Sequence, residues 1–174
     1  MKFSRIVAPI FIACLSPMAM AATDGSLGST STGDTDVTIT IGDVVQVTVQ
    51  QDVGLTYTPG SPSTGATGVC VYRNSNANVN VTLTSANPDG SNNFRMSDGG
   101  TSFITYAVDL TGSTTNVIGA VSGTANTITD ENNTSTNCGG AFSHSVGVTA
   151  TAANLDAAPA GSYTDTITIL AEPI

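Results

Sequence analysis

From Val37 to Tyr57 the chain places nine apolar residues at odd-numbered positions: Val37, Ile39, Ile41, Val45, Val47, Val49, Val53, Leu55 and Tyr57. A period of two sends side chains to alternate faces of an extended strand, so the run predicts β-structure with one buried face. It is too long for a single strand of about five or six residues. Gly42-Asp43 and Gln50-Gln51-Asp52 are the natural breaks. The alternation returns at Val79, Val81 and Leu83, at Ile104, Tyr106, Val108 and Leu110, at Val146 and Val148, and from Tyr163 to Ala171. Shorter strands are expected at Val69–Tyr72 and Phe94–Met96, and one or two more within residues 111–137. Between them lie turn formers: the Pro- and Gly-rich stretch Tyr57–Gly68, then "SANPDGSNN" and "SDGG". No segment carries a convincing helical period. Seven or eight short β-branched strands at this spacing predict an all-β sandwich with Greek-key links, a barrel being the alternative.

The beginning of the chain belongs to export. Lys2 and Arg5 precede an apolar stretch, Ile6 to Leu15, and Ala19-Met20-Ala21 supplies the small residues of a cleavage site. Residues 1–21 are therefore read as a signal peptide, residues 22–36 as a flexible Ser/Thr/Gly leader. The apolar stretch is shorter than the roughly 20 residues a spanning helix needs, so no membrane insertion is expected. Cys14 leaves with the signal. Cys70 and Cys138 remain, and in an oxidising compartment they are expected to pair. A zinc site built from these two sulfurs and His144 falls short of four ligands. After cleavage thirteen carboxylates face only two cations, Arg73 and Arg95. Nucleic-acid binding, which needs clustered cations, is excluded.

Catalytic patterns are thin. His144-Ser145 with one of the aspartates has the residue types of a hydrolase triad, but no Gly-x-Ser-x-Gly turn accompanies it. Asp89-Gly90, Asp98-Gly99 and Asp130-Glu131 are turn sequences, where carboxylates usually bond their own backbone. Asn87, Asp89, Ser91 and Asn93 approach calcium-loop spacing without its acidic first ligand or closing glutamate. The expectation is a protein that is not an enzyme and carries no cofactor.

The Val/Ile-Thr strand after the signal, Cys70-Val-Tyr-Arg73, Phe94-Arg-Met96, Ile104-Thr-Tyr-Ala-Val108, Cys138 and the closing "PAGSYTDTITI" resemble the pilin-like domain of spore coat protein U and the archaic chaperone–usher fimbrial subunits. The resemblance spans roughly Val37 to Leu170. It implies an immunoglobulin-like sandwich, residues 46–174, that lacks its last strand. A periplasmic chaperone would fill the gap first, and after passage through an outer-membrane usher the N-terminal extension of a neighbouring pilin subunit would replace it. On that pattern residues 37–45 are the donor strand, with Val37, Ile39, Ile41 and Val45 as the inserted side chains. Tyr163, Ile167 and Ile169 mark the acceptor edge. The implied role is a subunit of an extracellular fimbria, in adhesion or biofilm formation. Two alternatives stand beside it. Residues 37–45 could fold back in cis, or the chain could be a self-contained secreted module binding carbohydrate or a surface ligand through loops 58–68, 86–93 and 129–137.

Overall fold

The computed structural model describes residues 23–174; the expected signal peptide lies outside the described residues. Contacts divide the chain into two units at Ile41/Gly42. In the first, Thr23 and Asp34 exchange main-chain hydrogen bonds of 3.1 and 3.2 Å. Val37, Ile39 and Ile41 are exposed and outside any strand.

The second unit holds two antiparallel sheets. β1 (Val45–Val49), β2 (Ser63–Arg73), β8 (His144–Ala150), β5 (Phe103–Gly112) and β4 (Phe94–Ser97) lie in that order, with the two-residue β6 (Asn116–Val117) also paired to β5. The second sheet is β7 (Ala125–Ile128), β3 (Val79–Ser85) and β9 (Ile167–Pro173). The all-β sandwich is therefore as expected. Val79, Val81 and Leu83 from one sheet and Val71, Val108, Leu110 and Val146 from the other close on a single core, each at most 2% exposed. The period-two pattern is the direct imprint of that burial.

Several boundaries differ from the sequence reading. Residues 63–68, expected in a loop, are the first half of β2, in register with β8 from Ser63↔Ala150 to Gly68↔Ser145. Their small side chains look like a turn in sequence, yet smallness is what the site needs: a Cβ on Gly65 would stand 2.6 Å from Val53 Cγ1, and one on Gly68 2.7 Å from Phe142 Cγ. The long run of residues 37–57 yields only β1 as a ladder strand. One short helix, α1 (Ala152–Asp156), occurs where none was expected; Thr151 caps it by accepting from the Asn154 N–H at 3.2 Å. The last strand starts at Ile167, four residues later than the pattern suggested, and runs through Pro173.

Cys70 and Cys138 form a disulfide, Cα–Cα 5.7 Å, that ties β2 to the tight turn Cys138–Gly140. Among the described residues no helix is long and apolar enough to cross a membrane.

Candidate functional site: an open cleft between two strand edges

After β1 the chain from Gln50 to Tyr57 leaves the ladder. Gln50 N–H still donates to Gly68 O at 2.9 Å; beyond it, side chains replace the main chain. Thr67 Oγ1 accepts from Gln51 N–H at 3.2 Å and donates to Gln51 O at 2.7 Å, and Ser63 Oγ accepts from Thr56 N–H at 3.1 Å. This stretch forms one wall of a cleft of about 590 Å³.

The facing wall is residues 161–169. β9 is the edge of its sheet, and among the described residues it pairs only with β3. Ala86 N–H donates to Thr166 O at 3.0 Å and Ile174 N–H to Asn78 O at 3.3 Å. Even-numbered residues thus turn their main-chain groups toward β3. Alternation then directs the N–H and C=O of Ile167 and Ile169 to the unpaired side. Pro173, also odd-numbered, presents no N–H to that side, which is where proline is tolerated in a strand. The floor is apolar and buried: Ile104, Tyr106, Val146 and Val148, each at most 6% exposed.

The two ends of the cleft are tied differently. At one, the buried Arg73 guanidinium forms an ion pair with Asp43 and donates to Asn78 O and, at 3.0 Å, to Ile174 O. It thereby joins the chain just before β1 to the chain just after β9. The Asp43 carboxyl is held below the usual carboxylate range by its hydrogen bond from Arg73. At the other end Tyr57 OH donates to Asp156 Oδ1 at 2.9 Å, and Gly60 N–H reaches the same carboxylate. Hydrogen bonding to Asp156 pushes the Tyr57 phenol up.

Of the residues singled out in the sequence, Tyr163, Ile167 and Ile169 all line this cleft, although Tyr163 precedes β9 rather than lying in it. Val45 is in β1, opposite Arg73 of β2 in the same chain. Val37, Ile39 and Ile41 are 92%, 82% and 76% exposed. The sequence reading missed the opposite wall, Val53 and Leu55, as part of the site; their odd-numbered alternation beyond the last ladder pair was the available signal.

The other candidates resolve into local structure. Asp130 accepts from the Thr115 hydroxyl, from Thr114 N–H at 2.9 Å and from the buried His144 Nε2 at 2.8 Å, while His144 Nδ1 lies 2.8 Å from Ser143 Oγ. Burial alone would raise the Asp130 carboxyl, but the bonds from Thr115, Thr114 and His144 outweigh it and hold it well below the ordinary range. The neighbouring serine named earlier, Ser145, stands in β8 opposite Thr111 and Gly68. Asp89 accepts from Ser91 N–H at 2.8 Å and Asn93 N–H at 2.9 Å, closing its own turn. Among the described residues there is no group of three or more His, Cys, Asp or Glu that could hold a metal ion.

No family model and no curated protein matches the chain, so the sequence resemblance stays with the motifs quoted above. Among solved structures the chain is similar to one from the CsuC–CsuE chaperone–tip adhesion subunit pre-assembly complex of archaic chaperone-usher Csu pili of Acinetobacter baumannii. The identity is 21% and the TM-score 0.47, over 76% of this chain and 40% of the solved one.

Proposed function

We propose that the chain is a structural subunit of a surface pilus, built head to tail by donation of its N-terminal segment to the cleft of a neighbouring copy. One observation carries this: an apolar cleft flanked by an unpaired strand edge, in a chain whose residues 37–41 expose a strand-patterned apolar row. A strand laid in the cleft would bond to the free main-chain groups of Ile167 and Ile169, and its alternate side chains would cover the floor. Val37, Ile39 and Ile41 have the required spacing. Asp36–Ile41, six residues, extends about 20 Å at ~3.3 Å per residue, about two thirds of the nine-residue wall Val49–Tyr57. Because donor and acceptor are different surfaces, the assembly is heterologous and propagates without closing. A periplasmic chaperone and an outer-membrane usher are the partners such a pathway uses, and the product is an exported, adhesive fibre.

Mixed single-cysteine chains test this reading. Chains carrying Ile39→Cys are oxidised with chains carrying Ile167→Cys or Ile169→Cys. Donation in trans gives a disulfide-linked heterodimer. A bridge only within chains carrying both substitutions would establish fold-back in cis instead. No bridge in either arrangement sinks donation by this segment.

A further inference from the structure

Between Thr164 and Ile167 the chain changes sheets. Thr164 exchanges main-chain hydrogen bonds of 2.8 and 2.9 Å with Ser97 at the end of β4, whereas Ile167 is already in register with Ser85 of β3. Such a crossing has no regular ladder to define it. At its centre stands Asp165, with the same odd parity as the cleft residues Tyr163 and Ile167.

The Asp165 carboxylate accepts five hydrogen bonds. Oδ2 takes the hydroxyls of Tyr106 at 2.5 Å and Ser85 at 2.6 Å. Oδ1 takes Thr166 N–H at 2.8 Å, Ala86 N–H at 3.0 Å and Asn87 Nδ2 at 3.1 Å. These donors are uncharged, and they fill the roughly four lone-pair sites a carboxylate offers. They come from β3 and the turn after it, from β5, and from the wall itself. Ser85 and Tyr106 are 3% and 6% exposed, so the knot lies at the base of the wall. Tyr106 is also part of the cleft floor. Burial, reinforced by Asp165, keeps its phenol far above its ordinary range, so it remains a donor.

We infer that Asp165 is the positioning residue of the acceptor wall: by joining Tyr106, Ser85 and the N–H groups of Ala86 and Thr166 to the crossing, it holds Tyr163 and Ile167 at the separation an inserted strand requires. This rests on the donor-strand reading above and adds to it the residue that keeps the cleft wall in register. Asp165 itself lines the cleft, and its five bonds act through the wall and the floor.

The test uses the full mature chain bearing Val37→Asp, Ile39→Asp and Ile41→Asp, so that its own donor segment does not compete. A labelled peptide of residues 34–43 is titrated well below the melting temperature. Tyr106→Phe, which deletes one hydroxyl and keeps the ring, should weaken peptide binding by roughly 3- to 10-fold, and Asp165→Ala by roughly 100-fold. Asp165→Asn, which can still accept from Ala86 and Thr166, should recover most of the alanine loss. If Asp165→Ala fails to fold, Tyr106→Phe decides. A lower melting temperature with an unchanged dissociation constant would make the knot merely structural and overturn the inference while leaving the donor-strand reading intact. If the parent chain does not bind the peptide at all, the donor-strand reading falls and this inference falls with it.

Discussion

Replacing Val37, Ile39 and Ile41 together by aspartate should abolish insertion, and the size of the effect follows from their exposure. At 92%, 82% and 76% exposed, nearly all of their apolar surface remains available for burial in a partner. Full burial of a Val or Ile side chain contributes about 1.5–3 kcal/mol, so three contribute about 5–9 kcal/mol. Ordering the segment and incomplete cover by the cleft consume part of this, and about half is a prudent figure for the net loss. Carboxylates set against the buried, apolar Ile104, Val146 and Val148 add a desolvation cost on top. At ~1.4 kcal/mol per decade, the peptide of residues 34–43 should therefore bind at least about 100-fold more tightly than its triple-aspartate form. Fluorescence anisotropy against the chain with its donor segment substituted measures both. A ratio below about 5 would mean that these side chains do not enter an apolar groove, whatever holds the copies together.

Three further outcomes follow from the sandwich itself. Reducing the Cys70–Cys138 bridge, or replacing both by serine, frees a loop of 68 residues and should lower stability by roughly 4 kcal/mol on chain entropy, read by urea unfolding with and without reductant. Gly65→Ala drives a methyl into Val53 on the cleft wall and should destabilise by about 1–3 kcal/mol, while neighbouring Ala66→Ser should change little. Asp130 has a folded pKa below its unfolded one, so its contribution is present above the ordinary unfolded carboxylate pKa of about 4 and is lost as pH falls toward the folded value. Asp130→Asn should accordingly destabilise at pH 7 and flatten the acid limb of a stability-against-pH curve; a parallel limb in the variant would refute the assignment.

The sequence disclosed strands wherever one face is sealed by the core. Val79–Leu83, Ile104–Leu110 and Val146–Val148 alternate because burial alternates. It disclosed less where small residues do the packing, as in Ser63–Gly68, since glycine and serine signal a turn whether or not they are paired. Helix α1 is too short to show a 3.6-residue period. The stretch Gln50–Tyr57 is the instructive failure: its alternation is strong, yet it is no ladder strand. Periodicity there reports which side chains pack against the core, Val53 and Leu55, and says nothing of where the main-chain groups go. The knots were illegible for a different reason. Tyr106 and Asp165 lie 59 positions apart, and His144 and Asp130 meet across a connection without regular pattern.

Two walls facing each other across an apolar floor would gain by closing over it. The bracing found here opposes that at each point. One wall is held off by Thr67 and Ser63, whose side chains occupy bonding positions a regular β2 partner would use. The other is fixed by the five bonds to Asp165. Arg73 joins the walls at one end, and Tyr57 with Asp156 secures the other. All of these bonds are made by side chains, and they leave the inner main-chain groups of Ile167 and Ile169 unspent. On the proposed reading, a strand inserted between the walls would gain by covering the apolar floor.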